Sequence, residues 1–536
     1  MACAEADPDP PQDVGPADLG VVDGGVAFDG GQLDLGPSDG GRGLLDDRTV
    51  YLADDLRVRV VELTVSDLNA LAAVEDDQPG AAVPAIFQEG DFGAAATAPN
   101  AVLELRGAST RFTDQKSYRL KLDDPAQPWR GQRVINLNKH PYDLTRARNA
   151  LAFTLFREVE HLSSLRTSFV HLMINGESRG LFTQIEQPNR LFLANHGLDP
   201  EGWLYKANNF TFYPLENTTW ADPVALDEVL EPKGQSDHGP MQAMIAAVND
   251  ETTDIDQVIA AHFDRDNYET WLATNLLFGN WDTISQNFYL YRRSDGGPWY
   301  FLPWDYDGAL GFDEQPGNPA RPRWQAGWAC WWEVPLHRRF LEKPENHQRL
   351  ESRLQALAAQ LQPKVRPTLQ ALVAVIRPFV GAEPDVEWLP VVPPADQIPE
   401  RLAQFEAEVL RLEGQLERNL AEARAVAERP MPVWLGEPIP EGTDWHLYWD
   451  PSYDLQGDPL RYDLRLGNTP DLIAPLLERP ELEEPNLLLP ALGPGTYYWT
   501  VDVRDTKDPV NHWQQPFDRL ELNGAIYDGV RTFTLP

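Results

Sequence analysis

The first two hundred residues alternate between hydrophobic and polar positions in several short runs, and this pattern predicts strands. VRVVEL is one such run, AVLELRGASTRFTDQKSYRLKLDD is typical of two strands joined by a loop, and SFVHLMINGESRGLFTQIEQ predicts a hairpin with an Asn-Gly turn. Between them, a helix is expected from near Asp143 or Thr145, with Leu151, Leu155 and Val159 along one face. Strands and helices of this kind favour an α+β fold.

A second pattern lies between residues 267 and 311. A helix over 267–278 leads into NWDTISQN, after which FYLYRR and WYFL alternate as two strands joined by the turn Ser-Asp-Gly-Gly. Because this hairpin returns the chain, we expect Asp305, in PWDYDG, to lie near Asp282 and Asn287. Long helices are predicted next, over 347–379 and 399–428.

The pattern changes again near residue 429. VWLGEPIP, DWHLYWDPSYD, LRYDLRLG, GTYYWTVDVRD and GVRTFTLP are short runs separated by Pro, Gly, Asp and Asn, which predicts an antiparallel β-sandwich over 429–536. The Trp449-Asp450-Pro451 element, the strand at Tyr462 and the late strand GTYYWTVDVRD resemble a fibronectin type III domain. Such modules usually serve as binding modules or as spacers between domains, so we assign no catalytic role to this one.

Composition narrows the classes of function. A chain of 536 residues is long enough for two or three domains, and its formal charge of -38 argues against a nucleic-acid partner, which would require clustered Lys and Arg. The acidic surface is typical of soluble proteins, including those adapted to high salt. No stretch has the roughly 18 to 20 apolar residues that a transmembrane helix needs.

The N-terminal segment predicts a tether. Residues 1–48 are acidic, rich in Pro and Gly, and have no basic residue before Arg42, so we expect them to be disordered. Their Ala-Cys start resembles the mature end of a bacterial lipoprotein, which would place a lipid anchor on Cys3 and the protein at the cell surface or in the periplasm; an ordinary terminal cysteine is the alternative. Cys330 is expected to be a buried small residue, and two cysteines support neither a disulfide framework nor a zinc site.

Oxygen-bearing side chains provide the candidate chemistry. Asp282, Asn287 and Asp305 would face one cavity, and such hard ligands suit Mg²⁺ or Mn²⁺ bound through the phosphates of a nucleotide. In protein kinases a catalytic Asp likewise precedes a metal-binding Asn by five residues, and a hairpin leads to the Asp of D-F-G. Here the His-Arg of kinases is replaced by Asn280-Trp281, and D-F-G is replaced by D-Y-D-G over 305–308.

The expected phosphate contacts lie earlier in the chain. The loop RGAST offers the guanidinium of Arg106 and the hydroxyls of Ser109 and Thr110, which suit phosphate oxygens. The following strand supplies Lys116 and Lys121. Their separation is odd, so only one of them can readily point into a given cleft.

Together these elements, over residues 51–427, resemble the CotH family of atypical protein kinases found in spore coats and among secreted proteins. The matching elements are RGAST, KSYRLKL, RARNALAF, INGESRGLFTQIEQPNRLFL, NWDTISQNFYLY and PWDYDGALG. The resemblance implies an atypical protein-kinase-like two-lobed fold over 49–428, with a small lobe over 49–200 and a large lobe over 201–428. It also implies transfer of phosphate from ATP to Ser or Thr of a protein, with Mg²⁺ or Mn²⁺ and without a conventional Gly-rich loop.

The same resemblance assigns roles by position. Asp282 takes the role of the catalytic Asp, Asn287 and Asp305 bind metal, and Asp307 is either a further ligand or a turn residue. Lys116 is the first choice and Lys121 the second for the phosphate-contacting lysine. The remaining assignments are phosphate contacts at Arg106 and Ser109, an ion pair of that lysine with Glu158 or Glu160, and a hinge from Glu186 to Asn189 whose backbone could meet adenine.

Two other functions remain open. A surface lipoprotein could use the kinase-like domain only to bind, either as a nucleotide-binding pseudokinase or as an adhesion module. A carbohydrate-active enzyme could be built from the paired acids and the dense Trp residues over 324–332, although those Trp residues are more typical of a core or an interdomain face.

Overall fold

The computed structural model describes residues 56–72, 82–107, 113–213, 223–235, 237–389, 398–442, 444–490 and 492–535. The predicted tether over 1–48, with Cys3, and the predicted phosphate contact Ser109 lie outside these residues. Among the helices that are described, none combines the length and the apolar character needed to cross a membrane.

Seven strands form a closed barrel at the start of the described chain. They are β1 (Val58–Val65), β2 (Val83–Gln88), β3 (Ala101–Arg106), β4 (Ser117–Leu122), β5 (Val134–Asn138), β6 (Thr167–Ile174) and β7 (Glu177–Glu186). The strand order is β1-β2-β3-β4-β5-β7-β6, and a parallel pairing of β6 with β1 closes the ring. Alternate residues such as Leu103, Leu120 and Ile135 fill the interior, which explains the period of two in the sequence.

Most of the described helices follow the barrel, whereas the first two lie between barrel strands. The described helices are α1 (Asn69–Ala72), α2 (Arg148–Phe156), α3 (Arg190–Asn195), α4 (Pro223–Val229), α5 (Gly239–Asn249), α6 (Ile255–His262), α7 (Arg265–Phe278), α8 (Pro335–Leu341), α9 (Pro344–Val380), α10 (Ile398–Leu412) and α11 (Gln415–Ala427). The prediction of a single helix over 399–428 is wrong in one respect. Two helices occupy this segment, since α10 ends at Leu412 and Gly414 directly precedes α11.

The predicted hairpin is confirmed. A second sheet contains β8 (Trp203–Ala207), β9 (Leu230–Pro232), β10 (Phe288–Arg292) and β11 (Tyr300–Pro303) in the order β11-β10-β8-β9. Antiparallel pairing of Phe288 with Pro303 sets the register of β10 and β11. The sheet packs on α7, a helix buried on nearly all sides, through the stacked rings of Trp271 and Phe301, whose centroids are 4.3 Å apart.

The Trp-rich segment serves both structural purposes considered above. Trp328 and Trp331 are buried in the core of the helical part, and Cys330 between them is buried as predicted. At the ends of the segment, Trp324 meets Phe517 and Trp332 stacks on Tyr453, both of which belong to the C-terminal part of the chain.

The C-terminal part forms antiparallel sheets around a core of its own. Its strands are β12 (Ile439–Glu441), β13 (Asp444–Tyr448), β14 (Leu460–Gly467), β15 (Leu477–Leu482), β16 (Asn486–Leu489), β17 (Gly495–Asp505), β18 (Trp513–Gln514), β19 (Arg519–Leu522), β20 (Ala525–Asp528) and β21 (Arg531–Leu535). One sheet has the strand order β12-β13-β16, and a second has the order β15-β14-β17-β18 with β21 beside β17. The strands β19 and β20 pair with each other. Leu447, Leu464, Leu489 and Trp499 contribute to this core from both larger sheets. The fibronectin type III assignment stays a prediction.

Candidate active site

Asp282 lies in a tight turn directly after α7. Gly279 ends that helix with a φ of 61°, in the left-handed region that glycine adopts easily, and a 3₁₀ turn over Trp281–Thr283 follows. The Thr283 hydroxyl, 3.0 Å from the Asn275 Oδ1 and 2.9 Å from the Asn280 carbonyl, fastens the turn to α7. The position of Asp282 is therefore fixed by a buried helix.

Asn287 and Gln286 hold the Asp282 carboxylate. The Asn287 Nδ2 donates to Asp282 Oδ2 at 2.7 Å, and the Gln286 Nε2 donates to Asp282 Oδ1 at 2.9 Å. Asn287 itself has a φ of 58°, a conformation that asparagine tolerates better than most residues, and it stands immediately before β10. Since the amide nitrogen of Asn287 faces Asp282, its amide oxygen is the atom available to a ligand.

Asp305 follows β11 at the same end of the hairpin. Its backbone φ is 50°, and its Oδ1 accepts a 3.0 Å hydrogen bond from the Asn149 Nδ2 on α2. The Asn149 Oδ1 accepts from the Tyr306 backbone N–H at 3.2 Å, while the Tyr306 hydroxyl donates to Asn275 at 2.8 Å. Two helices therefore hold the D-Y-D-G segment in place: α2 through Asn149 and α7 through Asn275.

Asp307 completes a group of three carboxylates. Its Oδ2 lies 3.0 Å from the Nδ1 of His140, and a Cβ placed on Gly308 would lie 3.5 Å from the Cβ of Asp282, so the segment runs directly past Asp282. The predicted proximity of Asp282, Asn287 and Asp305 is confirmed by this geometry.

The carboxylates perturb one another. Burial raises the pKa of Asp282 to about 7, and the charges of Asp307 and Asp305 add to the rise, against the hydrogen bonds from Gln286 and Asn287. Burial and the charge of Asp307 likewise raise the pKa of Asp305 to about 6, opposed by Arg106, His140 and Asn149. Arg106 and His140 offset only part of this effect, so a bound cation would lower both pKa values further.

Arg106 reaches this group from the barrel. At the end of β3 it donates to the Asn138 side chain, and its guanidinium carbon lies 5.7 Å from the centroid of the Trp304 ring. Its positive charge lowers the pKa of Asp305, so Arg106 and Asp305 act on each other electrostatically. Of the predicted phosphate contacts, Arg106 is the one whose link to the carboxylates the structure describes.

The two predicted lysines occupy different positions on the barrel. Arg106 pairs with Ser117, so Lys116, which precedes β4, lies at the Arg106 end of the strands. Lys121 is exposed and pairs with Val102. This pair lies four residues from the pair of Arg106 with Ser117, which is roughly 13 Å along the strand at about 3.3 Å per residue. This placement favours Lys116 over Lys121.

The ion pair suggested for Glu158 is wrong. Helix α2 ends at Phe156, so Glu158 lies beyond its last turn and pairs with Lys364 of α9 rather than with a barrel lysine. Glu160 is exposed at the surface.

The predicted hinge carries structural side chains. Glu186 is buried between Arg166 at 3.2 Å and the His196 ring at 3.2 Å, and its pKa is lowered because these partners outweigh the effect of burial. The Asn189 side chain caps α3 by accepting from the Phe192 N–H at 2.9 Å. A small cavity lies beside this segment, lined by Gly131, Gln132, Arg133, Val134, Glu186, Gln187, Asn189, Leu191 and Phe192. A backbone contact to adenine here stays a prediction.

Sequence reasoning missed several residues at the site. Asn149 stands in the RARNALAF helix, which contributed to the resemblance without a role being assigned, and His140 precedes Asp307 by 167 residues, so no local pattern joins them. Lys139 is also buried; it donates to Asp385 at 2.7 Å and to the carbonyls of Arg179 and Leu181 at 2.7 and 3.1 Å. Burial lowers the pKa of Lys139 to about 8, against the charge of Asp385.

Comparison with known proteins identifies the family of this chain. Residues 103–418 match the family described as CotH kinase protein, and the chain belongs to that family. The inner spore coat protein H of Bacillus subtilis (strain 168) is 28% identical over 212 residues, which are 39% of this chain and 58% of that relative. The match therefore covers a little over half the length of the relative.

Two solved structures give weaker matches. The proinflammatory kinase CtkA of Helicobacter pylori is 10% identical, with 58% of this chain and 95% of that chain covered and a TM-score of 0.27. The HipA, HipB and operator DNA complex of Shewanella oneidensis MR-1 gives 14% identity, coverage of 54% and 59%, and a TM-score of 0.25. TM-scores this low do not establish a shared fold.

Proposed function

We propose that this protein is an atypical protein kinase that transfers the γ-phosphate of ATP to Ser or Thr of a protein, with its own hydroxyls among the candidate acceptors. The observation that carries the proposal is the convergence of Asp282, Asn287, Asp305 and Asp307 at one end of the β10–β11 hairpin, beside Arg106. Membership of the CotH kinase protein family supports the same reaction.

The residues present fit a divalent cation. Three carboxylates and one amide oxygen form an all-oxygen donor set, and burial together with the neighbouring carboxylates raises the pKa values of Asp282 and Asp305. Asp305 and Asn287 would hold Mg²⁺ or Mn²⁺, and Asp307 would be the further ligand. When bound, the ion neutralises phosphate charge and orients the phosphates.

The protein's own groups then have separate tasks. Asp282, held by Asn287 and Gln286, orients the acceptor hydroxyl and takes its proton as the hydroxyl oxygen bonds to the γ-phosphorus. The bond from the γ-phosphorus to the bridging oxygen breaks, and ADP leaves with that oxygen. Arg106 and Lys116 stabilise the phosphate oxygens from the barrel side.

Transfer of labelled phosphate tests the proposal. Wild type, Asp282→Ala and Asp305→Ala would be given γ-labelled ATP with Mg²⁺ or Mn²⁺, with the protein itself and a Ser-rich basic protein as acceptors. Asp295→Ala is the matched control, because Asp295 is an exposed aspartate in the turn at the opposite end of the same hairpin. We expect label in wild type and Asp295→Ala and its loss in the other two variants.

A thermal shift with ATP and metal separates binding from transfer. We expect ATP to stabilise wild type and Asp282→Ala but not Asp305→Ala. Stabilisation without transfer in wild type would identify a nucleotide-binding pseudokinase, and transfer that survives in Asp282→Ala would contradict the role given to Asp282.

A further inference from the structure

Three carboxylates outside the candidate active site converge in the C-terminal sandwich. Asp454 and Asp458 lie in the loop before β14, and Asp505 is the last residue of β17. One oxygen of each lies within 4.8 Å of an oxygen of the other two. Asp454 and Asp505 are deeply buried, with exposed fractions of 5% and 1%.

The Asp454 carboxylate has an unused oxygen. Its Oδ1 accepts from the backbone N–H groups of Gln456 at 2.9 Å and Asp458 at 3.0 Å, which fixes the direction of the carboxylate. Its Oδ2 is buried and, within the described part of the chain, has no hydrogen-bond partner. A buried oxygen of this kind is costly unless something outside the chain satisfies it.

The surrounding charges do not supply that partner. The Lys507 Nζ lies 3.6 Å from Asp458 Oδ2, but its side chain is 58% exposed and reaches the outermost of the three carboxylates. The His512 Nδ1 lies 2.9 Å from Asp505 Oδ2.

We propose that Asp454, Asp458 and Asp505 bind a divalent cation of the Ca²⁺ type. Carboxylate oxygens are hard ligands, and Ca²⁺ accepts six to eight oxygens in flexible geometry, so water and backbone carbonyls can complete its shell. Mg²⁺ demands near-ideal octahedral geometry and fits a loop site of this kind less well.

The position of the site gives the cation a structural role. Tyr453, next to Asp454, stacks on Trp332 with ring centroids 5.3 Å apart, and its hydroxyl donates to the Glu342 carbonyl at 2.8 Å. The Tyr453 carbonyl in turn accepts from the Met431 N–H at 2.8 Å. A cation that fixes the loop over 451–459 therefore also fixes the contact between the sandwich and the helical part of the protein.

Calcium titration of the chelator-treated full chain, without nucleotide, tests the site. We expect wild type to bind Ca²⁺ by calorimetry and its Tm to rise as Ca²⁺ exceeds the Kd. Asp454→Asn keeps an oxygen for the two backbone N–H groups but removes the charge, and it should weaken Ca²⁺ binding at least about tenfold. Asp305→Asn removes a charge from the candidate active site, so the Ca²⁺ binding that persists in this variant is the binding at Asp454, Asp458 and Asp505.

Two further variants sharpen the result. Asp508→Asn removes the same charge from the neighbouring loop but not from the cluster, and it should bind Ca²⁺ as wild type does. Lys507→Gln removes the competing cation and should bind Ca²⁺ more tightly; it keeps the test valid should Asp454→Asn not fold. Absence of Ca²⁺ binding in wild type, equal binding in Asp454→Asn, or no gain in Lys507→Gln would each overturn the proposal.

Discussion

One amide on α2 contacts two consecutive residues of the D-Y-D-G segment. The Asn149 Nδ2 donates to the Asp305 carboxylate at 3.0 Å, and its Oδ1 accepts from the Tyr306 N–H at 3.2 Å. Asp305 has a positive φ, which aspartate adopts at some cost, and the amide helps to hold its carboxylate in this conformation. The adjacent Arg148 is buried and paired with Asp143 and Glu408, which fixes the start of α2.

Replacing Asn149 should therefore impair the site more than the fold. For Asn149→Ala we expect a loss of roughly 10- to 100-fold in metal-supported ATP binding or transfer, the range typical of groups that orient metal ligands, and a stability cost of about 1–3 kcal/mol. Asn267→Ala is the control, since Asn267 is equally buried but bonds the backbone carbonyls of Phe301 and His161 rather than a carboxylate. Equal effects of the two variants on ATP binding would refute the orienting role.

Asp307→Asn distinguishes a metal ligand from a turn residue. Removing one of three mutually repelling charges should raise the Tm of the metal-free protein, because the charge of Asp307 opposes ionisation of both Asp282 and Asp305. If Asp307 is a ligand, the affinity for Mn²⁺ in the presence of ATP falls, by about tenfold or more. We expect both changes; Mn²⁺ titration monitored by thermal shift measures them, and unchanged Mn²⁺ affinity would leave Asp307 as a turn residue.

The buried pair of Lys139 and Asp385 should be critical for stability. Lys139→Met leaves the Asp385 carboxylate buried without its cation and should cost about 3–5 kcal/mol, measured by thermal unfolding. Adding Asp385→Asn, which can still accept from the Leu181 N–H, should restore part of that loss. Lys364→Met is the control, because its pair with Glu158 is about half exposed and should contribute about 0–1 kcal/mol. A similar loss in both single variants would contradict this ranking.

Glu186 should make the folded protein less stable as the pH falls into the acid range. Its pKa is lowered in the folded protein by His196 and Arg166, so its contribution is present above the unfolded value of about 4.3 and disappears as the pH falls through the folded value. The Tm difference between wild type and Glu186→Gln should accordingly be large at pH 7 and shrink below about pH 4. Glu177→Gln, an exposed change at the start of β7, should show a small difference at every pH; a Glu186 difference that stays constant would exclude this linkage.

Local patterns in the sequence were sufficient to predict the parts of the molecule that depend on neighbouring residues. The β10–β11 hairpin, and with it the meeting of Asp282, Asn287 and Asp305, follows from alternation and a Gly-Gly turn within about thirty positions. The sequence did not predict the interruption of the helix at Gly414 or the end of α2 at Phe156, before Glu158. An amphipathic pattern shows that a helix is present but does not determine the residue at which it ends.

Long-range partners could not be predicted. The Asp385 partner of Lys139 is 246 residues away, and the Glu408 partner of Arg148 is 260 residues away, so each pairing depends on tertiary packing rather than on spacing. The closed barrel was missed for the same reason, since the parallel contact of β1 with β6 joins segments more than a hundred residues apart and carries no turn signal.

The closed barrel determines where the protein can be truncated without exposing strand edges. The family match begins at residue 103, whereas β1 and β2, which complete the ring between β6 and β3, end before it. A fragment starting at residue 103 would remove the partner strand of β6 over 169–174 and that of β3 at Leu103. It would therefore expose strand edges that are paired in the closed barrel. Such a fragment should associate with itself, and loss of phosphate transfer in it would report aggregation rather than chemistry.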